Sequence, residues 1–238
     1  MTSDICIKIL DAITKLSGPI AWPFVLLFFL IIFHSPLRKL IENISELSLK
    51  IGGMEVSLKR QITGATAGIV SAQAATRIRA GSLITSDAVA KDIRETIELV
   101  TEVVTPETIR RTKQSKILWV DDQPNNNVHE REAFEALGIR FIIATSTEEA
   151  VDELRYRSFD AIISDMGRPS DDRAGYTLLE MLRRVGNRTP FIIYSGERTP
   201  EFQAEAWQRG AVGCTNRPDE LFEMVLSQLV QHRKRSCW

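Results

Sequence analysis

From Lys116 to Arg235 the chain alternates short runs of β-branched and aromatic residues with segments of helical pattern, five of each. Ile117–Val120 stops at Asp121-Asp122, and Pro124 with the asparagines behind it opens a helix that reaches about Leu137. Arg140–Ala144, Ala161–Ser164, Phe191–Tyr194 and Ala211–Thr215 supply the other strand runs. Helices follow from Thr147, over Tyr176–Val185, over Pro200–Arg209, and from Pro218 to about Arg235. Parallel neighbours need a crossover, and a helix between every pair of strands is how chains supply one. The pattern therefore predicts an α/β fold, a five-stranded doubly wound parallel sheet with helices on both faces. Ligands of such sheets bind beyond the carboxyl ends of the strands.

The polar residues of this half fall at those ends. Asp121 and Asp122 close the first strand, Asp165 the third, Ser195 the fourth and Arg217 the fifth. Three carboxylates converging in one crevice repel each other unless a cation joins them, and hard oxygen donors favour Mg²⁺. A metal-bridged carboxylate beside a hydroxyl and a cation can attack phosphorus, with the developing charge shared among them.

This half of the chain resembles the receiver domains of two-component signalling. The resemblance rests on Val120-Asp121-Asp122, Ser164-Asp165-Met166 with Pro169, Tyr194-Ser195-Gly196 and Arg217-Pro218. The intervals fit as well: 43 positions from Asp122 to Asp165, 30 to Ser195 and 22 more to Arg217. The resemblance implies a flavodoxin-like receiver in which Asp165 accepts a phosphoryl group. It implies that Asp122 ligates Mg²⁺ directly with Asp165 and the Gly167 carbonyl, and that Asp121 acts mostly from the outer shell. Ser195 would hydrogen-bond the phosphoryl oxygens, Arg217 would supply the positive charge, and the Arg217-Pro218 bond is a candidate for the cis form. The implied partner is a histidine kinase or another phosphodonor.

The chain also departs from the family. Lysine is usual where Arg217 stands, and the guanidinium fork keeps the charge while changing reach and geometry. Cys214 takes the place of the usual aromatic switch residue. The loop after Asp165 is longer than usual before its glycine, and Asp171-Asp172 add negative charge there.

The first half reads differently. Between Lys15 and Arg38 lie 22 residues without Asp, Glu, Lys or Arg, including Gly-Pro-Ile-Ala-Trp-Pro-Phe-Val-Leu-Leu-Phe-Phe-Leu-Ile-Ile-Phe over 18–33. A bilayer core takes about 20 residues of helix. Residues 18–37 are thus expected to span a membrane once, behind a tail over 1–17. A signal peptide would want a small-residue cleavage site after Phe33, and a buried core helix is the other reading. Arg38, Lys39 and Lys50 outnumber Lys8 and Lys15, which puts the C-terminal side in the cytoplasm of a single-pass cell-membrane protein. Residues 38–62 form a juxtamembrane segment with a short hairpin around Gly52-Gly53. Residues 63–112 read as a helical linker and 113–238 as the receiver. Within the linker, Ser86 and Asp87 open a helix on which Val89, Ile93, Ile97, Val100 and Val104 recur at helical spacing. That stripe calls for a partner: a second copy of the chain in a homo-oligomer, the hairpin, or the receiver itself.

With a net charge of −1 and 26% charged residues, nothing points to nucleic acid; only His232-Arg233-Lys234-Arg235 is locally basic. Cys6, Cys214 and Cys237 show no metal-ligand spacing and read as reduced thiols. Three functions are compatible with these residues. One is a membrane-anchored receiver in a phosphorelay, signalling by altered partner contacts. Another is a phosphorylation-independent pseudo-receiver that acts as a protein-interaction module. The third, an enzyme such as a phosphohydrolase, is disfavoured because no histidine lies at a strand end; the expectation is a protein that is not an enzyme.

Overall fold

The computed structural model describes residues 55–81, 86–169, 171–196 and 199–235. The chain divides into Met1–Val56, almost all of it outside the described residues, and a compact unit over Ser57–Trp238. The expected membrane span at 18–37 and the Gly52-Gly53 turn lie outside the described residues. Among the described residues, no helix is long and apolar enough to cross a membrane.

Five parallel strands form the sheet: β1 (Lys116–Val120), β2 (Arg140–Ala144), β3 (Ala161–Ser164), β4 (Phe191–Tyr194) and β5 (Gly213–Thr215), in the order β2-β1-β3-β4-β5. β5 is two residues shorter than the apolar run predicts. The chain bends at Val212, whose amide still bonds the Phe191 carbonyl at 2.8 Å.

The helices are α1 (55–79), α2 (Ser86–Val103), α3 (Pro106–Thr112), α4 (Val128–Glu135), α5 (Thr147–Tyr156), α6 (Ala174–Arg184), α7 (Pro200–Gln208) and α8 (Pro218–Arg235). Their starts follow from local chemistry. Thr105, Ser146 and Thr199 are extended and accept from the amides of Thr108, Glu149 and Phe202 at 3.1–3.2 Å. Glu149 also reaches back to accept from the Thr145 amide at 2.6 Å, just ahead of α5. The helix expected to begin at Pro124 starts as a tighter 3-10 turn, Pro124–Asn127, before α4.

Side chains alternate across the sheet as the pleat requires. Leu118, Val120, Ile162, Phe191 and Ile193 face α5, α6 and α7, where Leu178, Leu179 and Ala206 meet them. Ile117, Trp119, Ile163, Ile192 and Tyr194 face the other way, onto Phe134 of α4 and Leu221, Phe222 and Val225 of α8. This second core is completed from outside the sheet: Ala65 and Ile69 of α1, Val100 of α2 and Val104 after it belong to the same cluster.

Residues 55–79 correct one expectation and extend another. Glu55–Leu58, assigned to a hairpin strand, are helical, and the start of the helical linker continues the same helix, packed into the core. The reason lies in its small residues. Gly64 and Gly68 sit so close to α4 that a Cβ on Gly68 would lie 2.7 Å from the Ala133 nitrogen, and one on Gly64 would lie 2.9 Å from the Ala136 Cβ. Ala65 and Ala72 on the same face are fully buried. α2 is tied to α1 by the Arg77–Asp92 ion pair at 2.7 Å and by a Thr96–Gln73 hydrogen bond at 3.3 Å.

The stripe on α2 divides. Val100 and Val104 are buried in the chain's own core, whereas Ile93 and Ile97 are 37% and 47% exposed. The part nearest the receiver is therefore satisfied within the molecule, with Thr96 rather than Ile97 turned inward.

Candidate acidic site at the carboxyl ends of the strands

Because all five strands run parallel, their carboxyl ends share one edge, and the residues after β1 and β3 meet there. Carboxylate oxygens of Asp121, Asp122 and Asp165 lie within 4.8 Å of one another. Asp121 is 8% exposed. One of its oxygens accepts from the Gln123 amide at 2.7 Å and the other from the Asn127 side chain, so it braces the loop between β1 and α4.

Asp165 is held from its backbone. Its amide bonds the Val120 carbonyl at 3.0 Å, and its carbonyl accepts from the Ser164 hydroxyl at 2.9 Å. Gly175, at the start of α6, presses against the same carbonyl: a Cβ there would lie 2.5 Å from it. Burial pushes the Asp165 carboxyl up to about 7; the Arg168 guanidinium opposes that rise, and Asp121 and Asp122 add to it. Its Oδ1 is buried and lies against the Arg168 guanidinium.

Gly167 is exposed beside the acids. The loop after it is closed rather than loose, since Arg168 and Asp171 exchange both backbone hydrogen bonds at 2.9 Å. Asp171 accepts from Thr177 Oγ1 at 2.6 Å and from the Arg173 amide at 2.8 Å. Those bonds hold its carboxyl below the usual range. It serves the start of α6.

Ser195 leaves β4 half-buried, with its amide bonded to the Thr215 carbonyl at 3.0 Å. It lines a cleft of about 360 Å³ with Thr76, Arg79, Tyr194 and Asn216. Arg217 is held by acids of the helix that follows it. Its guanidinium is about half exposed, bonded to Asp219 and 3.6 Å from Glu220, both in the first turn of α8. The two following acids hold it at the helix start. The Arg217-Pro218 bond is trans. Cys214 is 5% exposed and packs in the core beneath α7.

Two groups escaped the sequence reading. Arg168 is buried and its Nη2 lies 2.8 Å from Asp165 Oδ1. Its one visible signal was a charge three positions after the acceptor, just before Pro169. Glu130 is 3% exposed and accepts from the Tyr194 hydroxyl at 2.9 Å. Burial raises its pKa, with that hydrogen bond acting the other way. Nothing in a helix-surface pattern distinguishes such a glutamate.

Residues 117–226 match the family model of the response regulator receiver domain. This part of the chain is a receiver domain of two-component signalling, a five-stranded parallel α/β domain. Its curated relatives include the sensor histidine kinase RcsC of Salmonella typhimurium, 26% identical over 114 residues that cover 48% of this chain. The aligned stretch is only 12% of that kinase's length, and the same holds for the RcsC of Salmonella typhi. Similar solved structures include the receiver domain of the Francisella response regulator 1452, with 24% identity and a TM-score of 0.45. It covers 51% of this chain and 99% of that one. The chemotaxis response regulator CheY4 of Vibrio cholerae is 25% identical with a TM-score of 0.42, over 50% of this chain and 99% of its own.

Proposed function

We propose that this chain is a membrane-anchored receiver that takes a phosphoryl group on Asp165 in a phosphorelay and signals through changed partner contacts. The observation that carries the reading is the meeting of Asp121, Asp122 and Asp165, with the buried Asp165 Oδ1 facing the Arg168 guanidinium at 2.8 Å. A carboxylate oxygen of Asp165 forms a bond to phosphorus while the donor's bond to phosphorus breaks, and the electron pair leaves with the donor. Asp122, Asp165 and the Gly167 carbonyl are suited to hold Mg²⁺, with Asp121 behind them, because all offer hard oxygen. Bound there, the ion would supply positive charge against three carboxylates and the incoming phosphoryl oxygens. The Ser195 hydroxyl would donate to one of those oxygens.

A histidine kinase is the donor class we favour, in keeping with the name of the curated relatives. The 22-residue uncharged window supports a single-pass anchor with the receiver in the cytoplasm. The exposed Ile93 and Ile97 leave a short strip for pairing between copies. Mass spectrometry after treatment with a small phosphodonor and Mg²⁺ tests the core of the reading. The parent should gain one phosphoryl group and Asp165→Asn none; equal labelling removes Asp165 as acceptor. Retention in the membrane fraction through a carbonate wash is expected, and release would remove the anchor.

A second reading, the phosphorylation-independent interaction module, is favoured by one observation. The Arg168 guanidinium already contacts Asp165 and supplies a positive charge there. A parent chain that is never labelled, with Mg²⁺ bound, would decide for it.

A further inference from the structure

We propose that Arg168, and not Arg217, is the cation that faces Asp165 and the phosphoryl group it would carry; the phosphoryl half of this rests on the receiver reading above. The side chain of Arg168 is 3% exposed, and both of its terminal nitrogens are held. Nη1 donates to Thr147 Oγ1 at 2.9 Å, at the first position of α5. Nη2 donates to Ser164 Oγ at 2.6 Å and, more weakly, to the Val120 carbonyl at 3.5 Å. The backbone on either side is clamped to Asp171.

A buried guanidinium needs a negative partner, and among the described residues Asp165 is the one carboxylate within ion-pair distance of it. The match is incomplete, because Arg168 Nε is buried and has no hydrogen-bond partner. Leaving a buried donor unmatched is costly, so the open Nε–H marks a place for a further acceptor. A phosphoryl group on the carboxylate brings several acceptor oxygens to a guanidinium whose planar fork suits them.

Arg217 offers the opposite picture. It is half exposed, and two carboxylates of α8 already hold it. To serve Asp165 it would have to give up both. The receiver's positive charge has thus moved from the end of β5 to the loop after β3. The arginine that took it over sits next to the acceptor and cannot easily retract.

The competing account is that Arg168 only ties α5 to the loop. Titration of Mg²⁺ alone into the full chain in mild detergent, followed by calorimetry, separates the two. Arg168→Met keeps an unbranched chain but removes a positive charge beside three carboxylates. We expect it to tighten Mg²⁺ at least about tenfold, with Arg168→Lys near the parent and Arg217→Gln within about twofold of it. With Mg²⁺ and beryllium fluoride together, a phosphoryl mimic, Arg168→Met should lose binding despite its tighter metal, while Arg217→Gln keeps it. Unchanged Mg²⁺ affinity in Arg168→Met, or an Arg217→Gln chain that loses beryllofluoride, overturns the proposal. Should Arg168→Met fail to fold, Arg168→Lys and the exposed Arg217→Gln still decide it. A parent chain that binds Mg²⁺ but never beryllofluoride defeats the receiver reading instead, and the metal titration still rules on Arg168.

Discussion

The two faces of the sheet are closed by different means. Toward α5, α6 and α7 the chain uses bulky residues: Leu178, Leu179 and Leu182 fill the space against Leu118, Ile162 and Phe191. Toward α4 and α8 the outermost layer is α1, which comes close because Gly64, Ala65, Gly68 and Ala72 have almost nothing to keep it away. One face is filled by volume and the other by proximity. The first should therefore fail when atoms are removed, the second when they are added.

The largest effect is expected from Gly68→Leu. The new Cβ would meet the Ala133 backbone at 2.7–2.8 Å, where nothing can rotate aside. α1 must lift, so overpacking of about 1–3 kcal/mol adds to the lost burial of Ile69, roughly 1.5–3 kcal/mol. A loss near 4 kcal/mol in denaturant unfolding is expected. A small loss would mean that α1 is not docked as described.

Leu178→Ala is the counterpart on the other face. The residue is fully buried, and the cavity should cost about 3 kcal/mol. If adding a methyl there hurt more than removing the side chain, the contrast between the faces would collapse.

The site edge between them gives the third effect. Without metal, the folded protein holds the Asp165 proton more tightly than the unfolded chain, because its pKa rises from the ordinary 3.8 to about 7. The stability this provides is whole below about pH 4 and is lost as pH rises through about 7. With metal chelated, Asp165→Asn should be more stable than the parent by about 2 kcal/mol near pH 8 and nearly equal to it near pH 4. Melting curves at the two pH values check this, and a variant melting below the parent at the higher pH would contradict it.

Ile97→Ala is expected to do least, under about 0.5 kcal/mol, since the side chain is 47% exposed. A larger loss in the intact chain, dependent on protein concentration, would instead reveal a second copy covering Ile93 and Ile97.

The same contrast explains what could be read in advance. Strand runs such as Ile117–Val120 and Phe191–Tyr194 are short, apolar and bounded, and the acids stand at their ends because parallel strands put those ends together. Those parts were legible. α1 was not, since a helix that packs through glycine and alanine carries little hydrophobic periodicity, and its partner surface on α4 is invisible in one dimension. On α2 the spacing found a real stripe but could not divide it between Val100, which packs inward, and Ile97, which does not. Arg217 looked equivalent to the family's lysine by position. Its pairing with Asp219 and Glu220 depends on how the first turn of α8 is set. Arg168 was passed over because a charged residue in a loop usually points to water.

The core shared by α1, α4 and α8 also sets the terms for anyone grafting this receiver onto another output. The family match begins at residue 117, but Ile69 and Val104 plug the same apolar surface as Phe134 and Phe222. A chimera joined at Lys113 would leave that surface bare and prone to clumping, much as an exposed apolar patch does in a badly chosen fragment. The seam that respects the packing lies ahead of residue 57, so the natural cassette for transplantation carries its three preceding helices with it.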